Sequence, residues 1–240
     1  AAPVIPEVDE APAAAQATGR PPAPPTDGSG ASQLIEGHAD GRKEVALTFD
    51  AGSDRGYTEQ ILDFLRDNGI KGTFGMTGAF AEQHPDLILR MVNEGHQLIN
   101  HSWSHGSMTG ANTGEPPWTY EQLADELAST EQVVRDITGG YELKPYFRPP
   151  FGDYDATSLG YLYDLGYPFT IMWTCDTQAW RGWDAAKILE YCTSVPMEDD
   201  IILMHVGASA AGDYEVLPSM VAWYLERGYT FVTVEEMLQP

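Results

Sequence analysis

The chain has 240 residues, 42% of them hydrophobic, which is enough for a sizeable core and excludes global disorder. Its 36 acidic and 13 basic side chains give a formal net charge of −23, which excludes a nucleic-acid backbone or an anionic membrane surface as partner. No apolar run approaches the ~18 residues that a membrane span needs, so no membrane span is expected.

Residues 1–40 are rich in Ala, Pro, Gly and polar side chains and read as a disordered N-terminal tail or linker. They lack the charged start and apolar stretch of a signal peptide. Such a tail ahead of a folded domain is expected of a secreted or cell-surface protein whose signal has been removed. Residues 41–240 then read as one domain. Strand formers at 45–49 precede a loop, and 57–68 carry Ile61, Leu62 and Leu65 at helical spacing with Gly69 at the C-cap. A strand at 73–76, a helix at 86–94 and a strand at 97–100 follow. Thr119-x-x-Gln122 is a capping box that opens a long helix ending at Gly139-Gly140. Next come a short strand at 146–147, a helix at 155–165, a strand at 169–174 and a helix at 184–192. A buried strand at 201–204, a helix at 215–226 and a last strand at 229–234 complete the chain.

This alternation of about seven strands with helices predicts an α/β fold with a parallel sheet covered by helices. An open doubly wound sheet and a barrel both satisfy it. No phosphate-binding glycine fingerprint follows the first strand, which weakens a nucleotide-binding reading. Cys175 and Cys192 have no zinc-ligand spacing. In an oxidising compartment they would close a short loop as a disulfide, and otherwise they stand as two thiols.

The polar residues of interest follow strands: Asp50, His101 and His105, Arg148, Asp176 and His205. In a barrel the C-terminal strand ends converge on one face, where active sites sit, and this clustering favours closure. His101-x₃-His105 can share a divalent ion. Asp50 is placed to act as ligand or general base. Arg148, aimed by Pro149-Pro150, can pair with Asp50 and keep it ionised. His205 stands behind an apolar strand as a candidate general acid. Trp103, Trp173, Trp180 and Trp183 crowd the same segments, and aromatic faces stack on sugar rings.

TFDA (48–51), HSWSH (101–105), RPPFG (148–152), DTQAW (176–180) and LMH (203–205) resemble, in order, the five motifs of NodB-type polysaccharide deacetylases, carbohydrate esterase family 4. The resemblance runs over about 44–238 and implies a distorted (β/α) barrel of about seven parallel strands. It implies a metal-dependent hydrolase removing N-acetyl groups from a polysaccharide such as peptidoglycan or a chitin-type glycan. An acetylxylan-type O-deacetylase and a non-catalytic glycan-binding relative are the alternatives. By the same resemblance His101 and His105 hold a divalent ion, zinc first and cobalt, nickel or manganese as others. Asp50 is the general base, His205 the general acid, and Arg148 orients Asp50. Phe151, Trp180 and Leu203 are the implied substrate-binding positions, and a monomer is expected. Two positions depart from the family pattern: Ala51 stands where the third metal ligand is usual, and Ala179 where an aspartate usually holds the histidine acid. Asp54 is expected as the substitute ligand, with Asp50 itself as the other candidate, and Asp176 as the substitute partner of His205.

Overall fold

Alternation of buried apolar residues in strands with amphipathic helices resolves, in the computed structural model, into one curled parallel sheet wrapped by helices. The structure describes residues 30–37, 41–194 and 200–239. In chain order the elements are β1 (Gln33–Ile35), β2 (Glu44–Ala51), α1 (Thr58–Asp67), β3 (Thr73–Met76), α2 (Gly78–Gln83), α3 (Pro85–Asn93), β4 (Gln97–Asn100), α4 (Tyr120–Thr138), β5 (Tyr146–Phe147), α5 (Ala156–Asp164), β6 (Phe169–Ile171), β7 (Cys175–Asp176), α6 (Ala185–Ser194), β8 (Asp200–His205), α7 (Ala211–Glu226), β9 (Thr230–Phe231) and α8 (Val234–Met237). The strand order is β1-β6-β5-β4-β3-β2-β8-β7, with β9 on β2. Every strand pair is parallel. A bridge from Gly37 to Asp200 ties the segment after β1 back to β8, so the curled sheet nearly meets itself. This is the expected distorted barrel, not an open sheet.

Successive side chains of a strand point to opposite faces, and β2 shows why that matters here. Val45, Leu47, Phe49 and Ala51 pack outward into an apolar layer beneath α1, α2, α3 and α7. Ala46 points inward with Ile99, Ile171 and Ile201. Val234 and Met237 of α8 join that inner cluster, and the Val234 N–H donates to Thr73 Oγ1 at 3.0 Å, so α8 plugs the N-terminal end of the barrel. The C-terminal end is left for polar side chains.

Several boundaries differ from the sequence reading. Gln33–Ile35 lies within the stretch expected to be a tail, yet it adds a strand to β6 because pairing supplies what its local composition does not. Residues 1–29 lie outside the described residues. The expected strand 169–174 divides into β6 and a displaced β7. The expected last strand, 229–234, stops at Phe231, because Thr233 forms a capping box with Glu236 and starts α8. Helix α7 begins at Ala211, ahead of the expected 215. Among the described residues no helix is long and apolar enough to cross a membrane.

Cys175 of β7 and Cys192 of α6 are disulfide-bonded across a sequence separation of 17. A cross-link over a loop of that size restricts the unfolded chain by about 3 kcal/mol. Replacing both cysteines with serine is therefore expected to lower the melting temperature by about 6–12 °C, at about 2–4 °C per kcal/mol for a domain of this size. Thermal unfolding of the double variant beside the wild type, with and without reductant, measures it.

Candidate active site

Asp50 ends the inward-facing row of β2, opposite Gly75 of β3 and His205 of β8 in register. Gly75 leaves the space that the carboxylate occupies: a Cβ there would stand 2.6 Å from Asp50 Oδ1. Arg148 follows β5 and is fully buried. Its Nη1 donates to Asp50 Oδ1 at 2.9 Å, and Nε and Nη2 donate to the carbonyls of Ile171 and Met172 at 3.2 Å each. Burial alone would push the Asp50 carboxyl up. The charge of Arg148, with that of His205 and the Arg148 hydrogen bond, outweighs it and holds Asp50 below the ordinary carboxylate range.

His101 is buried at the end of β4. Its Nδ1 lies 2.8 Å from the Arg148 carbonyl, which can only accept, so Nδ1 carries the proton. Burial, larger than the opposing pull of Asp50, holds the imidazole pKa below its ordinary value and keeps the ring neutral. Nε2 is then a lone-pair donor, buried, without a hydrogen-bond partner, and 3.5 Å from Asp50 Oδ2. The His105 ring packs edge-on against His101 at 4.9 Å between centroids, and burial lowers its pKa to about 4. The sequence-predicted trio of Asp50, His101 and Arg148 is thus one contact group, with His105 beside it.

His205 ends β8 and is held by Asp213, the third residue of α7. Asp213 Oδ2 accepts the His205 backbone N–H at 2.8 Å and stands 3.7 Å from Nδ1. Burial disfavours the imidazolium, but Asp213, Asp50 and Asp176 together raise the His205 pKa above its usual value. Asp213 replaces the expected partner Asp176. The Asp176 carboxylate instead accepts the Gln178 N–H at 2.9 Å and the Gln178 side-chain amide, with Trp180 Nε1 at 3.4 Å. Its charge reaches His205 only at longer range.

Asp54 is also a correction. Its Oδ1 accepts the Ala208 N–H at 2.9 Å, fastening the loop after β8, so this oxygen is engaged by backbone. Ala51 is fully buried in the helix-side apolar layer and offers no side-chain oxygen. Among the described residues no three His, Cys, Asp or Glu side chains form a metal-binding group. The donors nevertheless fit a divalent ion: a buried, unpartnered His101 Nε2 fixed by a carbonyl behind it, His105 alongside, and Asp50 Oδ2 as the nearest carboxylate oxygen.

Of the expected substrate contacts, Phe151 is 51% exposed, held at φ 61°, and packs edge-on against His105 at 4.7 Å. Trp180 is 46% exposed, with the Arg181 guanidinium 4.5 Å above its ring. Leu203 is buried on the same face of β8 as His205 and forms floor rather than wall. Trp103, Trp173 and Trp183 are half-buried packing residues.

A family model described as polysaccharide deacetylase matches residues 37–170. The peptidoglycan-N-acetylmuramic acid deacetylase PdaA of Bacillus subtilis (strain 168) is 31% identical over 197 residues, which cover 82% of this chain and 72% of that protein. The Bc1960 peptidoglycan N-acetylglucosamine deacetylase has a similar structure, with a TM-score of 0.74 at 29% identity, covering 85% of this chain and 91% of that one. A mutant of BA3943, described as a CE4 family pseudoenzyme with restored enzymatic activity, has a TM-score of 0.75 at 25% identity and covers 86% and 71%.

Proposed function

Because the chain belongs to the polysaccharide deacetylase family, we propose that it hydrolyses N-acetyl groups of a peptidoglycan-type glycan at the Asp50–His205 face. One observation carries the reading. A buried carboxylate, held ionised by Arg148, faces an unpartnered His101 Nε2 beside the His205 strand end. A divalent ion held by His101 and His105 would polarise the acetyl carbonyl and acidify the attacking water. Asp50 accepts the water's proton through Oδ2, because Oδ1 is bound to Arg148. His205, whose pKa Asp213 raises, delivers a proton to the leaving amine. Phe151 and Trp180 supply exposed aromatic faces for the sugar. The Cys175–Cys192 disulfide favours an exported protein.

Acetate release from peptidoglycan, N-acetylglucosamine oligomers and acetylated xylan, with and without chelator, tests the proposal. Release from the N-acetylated glycans that chelation abolishes is the expected result. Release from xylan alone would move the activity to esters. A second reading, a non-catalytic glycan-binding protein, is favoured by Ala51 and by the lack of a three-ligand group among the described residues. Glycan binding without acetate release from any substrate would establish it and end the first.

Asp213→Asn is expected to move the alkaline limb of the kcat/KM pH profile to lower pH. The acid must be protonated to act, so activity falls as pH rises through the His205 pKa. Asp213 raises that pKa, and removing its charge lowers it. The same interaction stabilises the fold below the unfolded histidine pKa and is lost as pH rises through the folded one. An alkaline limb unmoved in Asp213→Asn would dismiss the pairing.

A further inference from the structure

The two histidines sit at the ends of a five-residue loop whose backbone is unusual. Ser102 and His105 have φ of 64° and 59°, the left-handed region that non-glycine residues rarely occupy. Such a conformation persists only when its surroundings hold it. Here each backbone N–H from Ser102 to His105 is taken by a side chain. Asn100 Oδ1 accepts from Ser102 at 3.0 Å, and Ser102 Oγ accepts from His105 at 3.1 Å. Glu126 Oε2 accepts from both Trp103 and Ser104, at 2.8 Å each. The loop's outward carbonyls are also used: Ser102 accepts the Gly78 N–H and Trp103 the Ala79 N–H.

Two of these anchors, Glu126 and Asn100, lead to one helix, α4. Glu126 belongs to it. Asn100 Nδ2 donates to its Leu127 carbonyl at 3.1 Å and to Tyr167 Oη at 2.9 Å, and Tyr167 Oη donates to its Glu131 at 2.8 Å. A carboxylate bound by two convergent N–H groups is a charge-assisted contact, stronger than a neutral one. Among the acceptors of the loop's N–H groups, Glu126 is the one from outside the histidine segment and the strand before it.

We propose that Glu126 is the positioning residue of the histidine pair: by fixing the N–H groups of Trp103 and Ser104 it sets the spacing and aim of His101 and His105, and through them the affinity for a divalent ion. The proposal rests on the reading of His101 and His105 as metal donors. Outer contacts of this kind alter metal affinity by about 10- to 100-fold when removed, without removing a ligand.

The test uses the full chain stripped with chelator and titrated with Zn²⁺, beside amide hydrogen exchange of the metal-free protein. Glu126→Ala is expected to weaken zinc binding by at least about tenfold and to speed exchange at 102–105, while α4 amides and the melting temperature stay near wild type. Glu126→Gln keeps an acceptor and is expected to stay close to wild type. Asp125→Ala, one residue away and exposed, is expected to change nothing. Wild-type zinc affinity in Glu126→Ala would overturn the proposal. So would exchange that rises equally along α4, since Glu126 would then be a structural residue of the helix. If the wild type binds no zinc, the metal reading fails on its own, and exchange at 102–105 decides the clamp: faster in Glu126→Ala supports it, unchanged overturns it.

Discussion

Asp50→Asn is expected to lower kcat for acetate release by about 10²- to 10⁴-fold, the range that one positioned proton acceptor contributes. The substitution keeps the shape of the side chain. An asparagine oxygen still accepts from Arg148 Nη1, and the carbonyls of Ile171 and Met172 still hold the rest of the guanidinium. What disappears is the basic oxygen facing His101. Steady-state kinetics together with metal content separates the two roles left open for Asp50. If Asp50 is the base, kcat falls and metal content holds. If Asp50 is mainly a ligand, metal content falls with it. An Asp50→Asn variant with wild-type kcat would remove Asp50 from the chemistry.

Arg148→Met is expected to be the most damaging single change to the fold, by about 3–5 kcal/mol, because it leaves a buried carboxylate without its partner. Arg148 is fully buried and Asp50 nearly so, so solvent compensates the lost contact poorly. The pH dependence should reverse in sign. In the wild type the folded Asp50 pKa lies below the unfolded one, so the pair stabilises at neutral pH and the contribution is lost as pH falls through the folded value. In Arg148→Met burial dominates, the folded pKa rises above the unfolded one, and stability should increase as pH is lowered from neutrality. Adding Asp50→Asn to Arg148→Met removes the stranded charge, so the double variant should be more stable than Arg148→Met alone. Urea unfolding at several pH values measures all of this. A double variant that is simply the sum of the singles would argue against the pair.

Much of the site was legible because barrel chemistry collects where strands end. Asp50, His101, Arg148 and His205 each follow a short apolar run, and the run marks the strand whatever its exact length. Asp213 gave no such signal. It lies in the first turn of α7, eight positions past His205, where an acidic residue reads as ordinary compensation of the helix dipole. Only the backward fold of α7 onto β8 brings its carboxylate to the histidine. Asp54 misled for the opposite reason. Its place near Ala51 in sequence suggested a ligand, while the backbone turn aims it at Ala208. Glu126 is separated from the loop it holds by more than twenty residues, so no local pattern links them. Strand β1 was hidden by composition: three residues in a Pro- and Gly-rich context become a strand only because β6 offers an unpaired edge. The same limit applies to α2, six residues long, whose one sequence sign is the Thr77 cap.

The opposite facing of neighbouring residues on β2 has one more consequence. A slip of one position against β8 would turn Asp50 into the helix-side layer and Phe49 into the barrel, opposite Arg148. A cation would then meet a ring where it needs a carboxylate, and an anion would lie among Ile61, Phe74 and Val206. Misthreaded chains are thereby penalised at the point where chemistry would later occur. The reactive carboxylate proofreads the assembly of the sheet that carries it.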